Sequence, residues 1–142
     1  MPLSRRSALA LAAAAGFAMS AALTTPAAAA EPVAAVAYPT RDVDVTFGAT
    51  YVRGTLTWYN RSVGITGTYR AIASSGCRRV WVGTYDIAGV PLDAQSTSTL
   101  CDGVKPIDFP VPADVPGGAA SVLVCLDDGN AEPLKCIEYD RP

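Results

Sequence analysis

The stretch Tyr51-Val-Arg-Gly-Thr-Leu-Thr-Trp-Tyr-Asn-Arg-Ser-Val-Gly-Ile-Thr-Gly-Thr-Tyr-Arg70 decides the reading of this chain. Apolar and polar residues alternate on both sides of Asn60-Arg61, as in half-buried strands. Asparagine tolerates a left-handed backbone and so suits a two-residue hairpin turn. Paired about that turn, Trp58 faces Val63, Leu56 faces Ile65 and Val52 faces Tyr69. On the other face Thr55 meets Thr66, Arg53 meets Thr68 and Tyr51 meets Arg70. A slip of one residue would mix the two sets, so the pattern itself specifies the register. Gly54 falls opposite Gly67 on the apolar face. The expectation there is a gap that a large side chain from a facing sheet fills, with a bulge at one glycine as the alternative.

Working outward, the remaining apolar segments are short, alternate, and are separated by Gly, Pro, Asp and Asn. Strands are predicted at 42–47, 50–59, 62–72, 78–87, 92–100, 105–111, 119–126 and 134–139, and no stretch carries a helical period. In the last hairpin Val122, Val124, Leu126, Ile137 and Tyr139 share one face, with Lys135 at its edge. Leu123, Glu138, Cys125 and Cys136 take the other. The segment Pro110 to Gly118 has too much proline and glycine for a central strand and reads as a crossing between sheets. Many short strands with regular turns and one such crossing predict an all-β fold, an antiparallel Greek-key β-sandwich, immunoglobulin-like in general shape. It would occupy residues 41–142 after a flexible lead-in at 31–40. Trp81 stands too close after Cys77 for a true immunoglobulin signature.

The N-terminus reads as an export signal over residues 1–30. Arg5 and Arg6 start it, an uncharged alanine-rich run from Ala8 to Leu23 follows, and Ala28 and Ala30 supply the small residues of a cleavage site. Ser4-Arg5-Arg6-Ser7-Ala8-Leu9 resembles a twin-arginine signal, so export by that route or by the general secretory route is expected. The alanine-rich style of the leader is bacterial in character. The apolar run is shorter than the roughly 20 residues that a membrane span needs. The expectation is a secreted, extracellular domain with no membrane attachment after cleavage.

All 4 cysteines follow the leader. An even number in a secreted chain reads as two disulfides. Cys77 and Cys101 are symmetric about Gly89, and Cys125 and Cys136 about the Asn130–Ala131 bond. Each pair can therefore sit across its own hairpin, which predicts Cys77–Cys101 and Cys125–Cys136 over the other two pairings.

Composition removes several function classes. Lys and Arg number 11 against 13 Asp and Glu, and two of the basic residues belong to the leader. Such an acidic balance does not suit a nucleic acid or an anionic membrane surface as partner. There are 0 histidines, so the serines have no imidazole to activate them, and no Gly-x-Ser-x-Gly elbow is present. No catalytic residue, metal or cofactor is expected. Asp42 and Asp44 read as the solvated side of a strand. Asp127-Asp128-Gly129-Asn130 reads as a tight turn before a calcium site.

Aromatic residues are the informative remainder. Symmetry about Gly89 places Trp81 and Tyr85 beside Arg79, Asp93, Gln95, Thr97 and Thr99. Val80, Val82, Leu92 and Ala94 fall opposite. Tyr51, Tyr59, Arg53 and Arg70 line the polar face of the first hairpin. Rigid amphipathic rings and arginine favour interfaces. The competing reading buries Trp81 under a loop or, after a register shift, in the core. The functional expectation is a non-catalytic extracellular binding or interaction domain for a protein or glycan, using Trp81, Tyr85, Tyr51, Arg53 and Arg70. The alternative is a secreted inhibitor of a hydrolase (protease or amylase) that presents loop 112–118 or 127–133.

Overall fold

The structure, a computed structural model, describes residues 26–142, and the export-signal reading of residues 1–25 lies outside them. Residues 26–39 have no regular secondary structure. Eight strands follow: β1 (Thr40–Phe47), β2 (Thr50–Trp58), β3 (Ser62–Ala71), β4 (Arg79–Tyr85), β5 (Pro91–Ser96), β6 (Gly103–Pro112), β7 (Ser121–Asp127) and β8 (Pro133–Asp140). Each overlaps one predicted strand. A 3-10 turn at Ala73–Ser75 interrupts the passage from β3 to β4.

The strands form two antiparallel four-stranded sheets, β1-β2-β3-β6 and β5-β4-β7-β8. The chain leaves the first sheet after β3, returns to it as β6, and leaves again for β7. The pairs β3–β6 and β4–β7 therefore interlock, which gives the Greek-key, immunoglobulin-like order expected. Inward residues of both sheets make one core: Val45, Val52, Leu56, Trp58 and Ile65 from the first, Val80, Val82, Val122, Val124 and Leu126 from the second, all essentially without exposure.

The first hairpin has the register read from the sequence, with Tyr51 opposite Arg70, Val52 opposite Tyr69 and Trp58 opposite Val63. The glycine pair departs from expectation. Gly54 and Gly67 pair without a bulge, and they leave no gap for a foreign side chain. A Cβ on Gly54 would stand 2.0 Å from the Thr66 carbonyl oxygen, and one on Gly67 would stand 2.1 Å from that of Arg53. The two backbones occupy the space themselves.

The β4–β5 hairpin is the second correction. Arg78 does bridge to Leu100, as symmetry about Gly89 requires. Within the hairpin, however, Trp81 pairs with Ser96 and Thr84 with Asp93, a slip of one residue. A further shift brings Tyr85 opposite Pro91. The turn closes earlier than expected, with Asp86 donating to Val90 (3.0 Å) and Gly89 to Asp86 (3.0 Å). Extra residues on the β5 side restore the symmetric spacing at the cysteines. The β7–β8 register matches expectation through Val122–Tyr139, Cys125–Cys136 and Leu126–Lys135. Both disulfides are formed as predicted, Cys77–Cys101 and Cys125–Cys136.

Buried polar groups fasten the layers. The Thr84 hydroxyl, fully buried on β4, donates to the Pro112 carbonyl at the end of β6 (2.6 Å). The Tyr69 hydroxyl donates to the Ser98 carbonyl (2.7 Å). Arg78 is buried beside the Phe47 ring, its Nε donating to Thr50 Oγ1 (2.9 Å) and a terminal nitrogen to the Cys77 carbonyl (2.7 Å). These bonds offset the desolvation of each group, which would otherwise cost several kcal/mol. Among the described residues Trp58 Nε1 has no such partner.

Candidate functional site

Because Val80, Val82 and Thr84 of β4 point into the core, Arg79, Trp81 and Tyr85 point outward. The next strand, β7, sets Cys125 opposite Trp81 and Leu123 opposite Gly83. On β8, Cys136 and Glu138 continue the same face. Trp81 is half-buried, and its ring folds back over Gly83: a Cβ there would meet Trp81 Cη2 at 2.3 Å. The missing side chain at Gly83 is what lets the indole lie along the sheet instead of standing off it.

The indole, Leu123, the Cys125–Cys136 bridge, Ala131 and Pro133 enclose a groove of about 350 Å³. Its polar end is the ion pair of Arg79 with Asp127. Arg79 Nε and a terminal nitrogen both reach Asp127 Oδ2 at 2.9 Å. Oδ1 of the same buried carboxylate accepts from the Gly129 N–H (2.8 Å). Asp127 therefore fixes Arg79 and the turn after β7 together. Beyond Leu123 lies a second depression of about 330 Å³, bounded by Tyr85, Gly89 and Glu138. The Ser121 hydroxyl donates to Glu138 (2.6 Å). This face is an aromatic and aliphatic surface with one anchored cation, Arg79, and two anchored carboxylates, Asp127 and Glu138.

Trp81 and Tyr85 lie on the outward face of β4, and Trp81 is half-buried there and not in the core. Their expected neighbours differ. Asp93 and Gln95 sit opposite Thr84 and Val82, because of the slipped register. The Thr97 hydroxyl accepts from the Val80 N–H (3.0 Å), and the Thr99 hydroxyl donates to the Gly129 carbonyl (3.3 Å). The groove walls Leu123, Pro133 and the Cys125–Cys136 bridge, and the Arg79–Asp127 pair, were absent from the candidate site. The Trp81-Val82-Gly83 spacing was the available signal, since residues two apart share a strand face.

The other candidate surface is assembled on the first sheet. Tyr51 pairs with Arg70, and Arg53 lies over the Tyr51 ring at 4.5 Å. Arg53 also donates to Asp44 Oδ2 (3.1 Å), and the Thr46 hydroxyl donates to Oδ1 (2.6 Å). The Thr46 hydrogen bond and the Arg53 guanidinium hold the Asp44 carboxyl below its usual range, against a small opposing effect of burial. Arg53 is therefore committed to partners of its own sheet. Tyr59 stacks edge-on with Tyr38, ring centres 4.8 Å apart.

The two loops weighed for an inhibitor are both internally braced. In 112–118, Val115 donates to Ala113 and Gly118 to Val115, each at 2.9 Å, and Arg61 pairs with Asp114. This loop, Asp86, Ile87 and Arg141 border a shallow cavity of about 560 Å³. In 127–133, Asp128 Oδ1 accepts from Asn130 (2.7 Å) and Glu132 (3.2 Å). The Asn130 N–H, opposed by slight burial, pulls the Asp128 carboxyl below its usual range. Oxygens of these carboxylates hydrogen-bond the backbone of their own turn. No family model, curated protein or solved structure matches this chain.

Proposed function

We propose that this chain is a non-catalytic extracellular binding domain, and that its ligand occupies the groove over Trp81. The observation that supports this most is the indole laid over Gly83, half-buried, as the floor of an apolar groove. A rigid ring in such a place gains contact area at little entropic cost. Mostly apolar walls with a few fixed polar groups are the usual character of a ligand site. Two disulfides in one small β-domain suit an oxidising, extracellular setting.

The test is capture of ligands from extracellular glycan and peptide mixtures, followed by titration of the wild type and Trp81→Ala. Binding should fall by about tenfold or more in the variant, the loss of roughly 1.4 kcal/mol, while its far-ultraviolet spectrum is unchanged. Captured ligands that bind both proteins equally would remove the groove from consideration. A hydrolase inhibitor is the second reading, favoured by the turn at 127–133, which Asp127 and Asp128 hold in one conformation. Near-stoichiometric inhibition of a protease or amylase, lost with Asp128→Ala but retained with Trp81→Ala, would support it over the groove.

A further inference from the structure

A sandwich of two open sheets has four edge strands, each a ready template for another chain unless blocked. One of the four is blocked by prolines, and two others each have an outward N–H taken by a side chain. On β6, Pro106, Pro110 and Pro112 lie opposite Thr68, Gly64 and Ser62. Proline cannot donate to β3, so these are the positions that face away from the sheet, and three outward N–H groups are missing. The Ala113 N–H, in the alternate set, does reach the Arg61 carbonyl (2.8 Å). On β5 the outward Ala94 N–H is taken by the Asp93 carboxylate (2.7 Å). On β1 the outward Asp44 N–H is taken by the Tyr139 hydroxyl (3.1 Å), with the Asp42 and Asp44 carboxylates on the same edge.

The edge of β8 is different. Cys125 and Cys136 face each other with Cα atoms 4.1 Å apart, the close pair that exchanges no backbone hydrogen bonds. Arg141 continues the alternate set by donating to the Ala120 carbonyl (2.9 Å). The N–H groups of Cys136 and Glu138 therefore point away from β7. Among the described residues neither is replaced by proline nor met by a side chain. The groove over Trp81 opens beside this same strand, since Cys136 and Pro133 belong to its wall.

We infer that the ligand of this domain is an extended peptide that adds to the β8 edge as a further strand and places one apolar side chain in the Trp81 groove. The inference rests on the groove reading and names its ligand class. Main-chain hydrogen bonds to Cys136 and Glu138 supply affinity, and the groove supplies selectivity for alternate side chains. A peptide residue beside Cys136 presents its side chain on the groove's face of the sheet, next to the wall formed by Cys136 and Pro133, over which a long apolar side chain must reach. The residue two positions away lies beside Glu138, whose exposed carboxylate suits a basic side chain. The peptide thus carries an apolar and a basic residue at i and i+2.

A random dodecapeptide library displayed on phage and selected against the purified protein is the probe. Enrichment of apolar and basic residues at i and i+2 is expected. Glu138→Pro removes the outward N–H and should weaken the selected peptides by about tenfold, the worth of one or two backbone bonds. Glu138→Ala loses the carboxylate, with its Ser121 contact and its pull on the basic residue, but keeps the N–H, so binding should fall by only about twofold to fivefold, the worth of an exposed ion pair. Synthetic peptides N-methylated on one alternating set of amides should lose binding, and those methylated on the other set should retain it. That arm does not depend on how the proline variant folds. Failure to select peptides, equal binding to the proline and alanine variants, or self-association through β8 without peptide capture would overturn the inference. Glycans that need Trp81 but bind the Glu138→Pro protein normally would overturn it too, while leaving the groove reading intact.

Discussion

The sheet β1-β2-β3-β6 pairs in continuous register throughout and contains no disulfide, whereas β5-β4-β7-β8 slips register in both of its hairpins, contains Cys125–Cys136 and has Cys77–Cys101 just beyond the open end of β4 and β5. The difference follows from side chains. In β2 and β3 a one-residue slip would turn Val52, Leu56, Trp58, Val63 and Ile65 into water, so burial alone fixes their pairing. β5 reads Pro-Leu-Asp-Ala-Gln-Ser and is largely exposed, so little burial resists a shift. Covalent closure at Cys77–Cys101 does there what alternation does in the first sheet. The irregular, bridged sheet is also the one that carries the groove.

The widest separation between the sheets should come from Cys77→Ser/Cys101→Ser. Loop-closure entropy over the separation of 24 residues predicts a loss of about 3.5 kcal/mol. Urea unfolding measures the total, and amide hydrogen exchange locates it: β4 and β5 should lose protection well before β2 and β3. Equal loss in both sheets would show that the bridge does not act on register. Gly54→Val attacks the first sheet instead. Its side chain would collide with the Thr66 carbonyl, at a cost of about 3 kcal/mol. Protection should now fall first in β2 and β3. A variant as stable as the parent would mean that the backbones can part at this point.

The smallest effect contrasts one carboxylate from each sheet. The carboxyls of Asp44 and Asp128 are both held below the ordinary aspartate value in the folded chain. A lowered folded pKa means their stabilisation is present above that value and fades as the pH falls through the folded midpoint. Part of the Asp44 shift is the charge of Arg53 and Lys135, while that of Asp128 comes from N–H groups of its own turn. Carboxyl carbon NMR should therefore show the Asp44 midpoint rising with added salt and that of Asp128 holding still. The same salt response at both would erase the distinction.

The sequence made the first and last hairpins legible because each has bulky apolar residues on one face and polar or small ones on the other. It made the disulfides legible because the cysteines flank turns. The β4–β5 register was not legible: symmetry about Gly89 is true at Arg78–Leu100 but is restored there by residues that bulge from β5. Trp81 and Tyr85 could be assigned to a face, since alternation along one strand needs no partner. The groove itself could not, because Arg79 meets Asp127 and Trp81 meets Cys125 only once β7 docks beside β4. At Gly54 and Gly67 composition shows two absent side chains but not that the strands close on the vacancy.

Both bridges join cysteines that are consecutive along the chain, 24 and 11 positions apart. Oxidation can therefore proceed in order of emergence, each thiol meeting its mate before the following pair arrives. A polypeptide delivered N-terminus first has no need to hold Cys77 or Cys101 reduced until the tail appears, and the scrambled isomers require a thiol to bypass its nearest neighbour in time as well as in space.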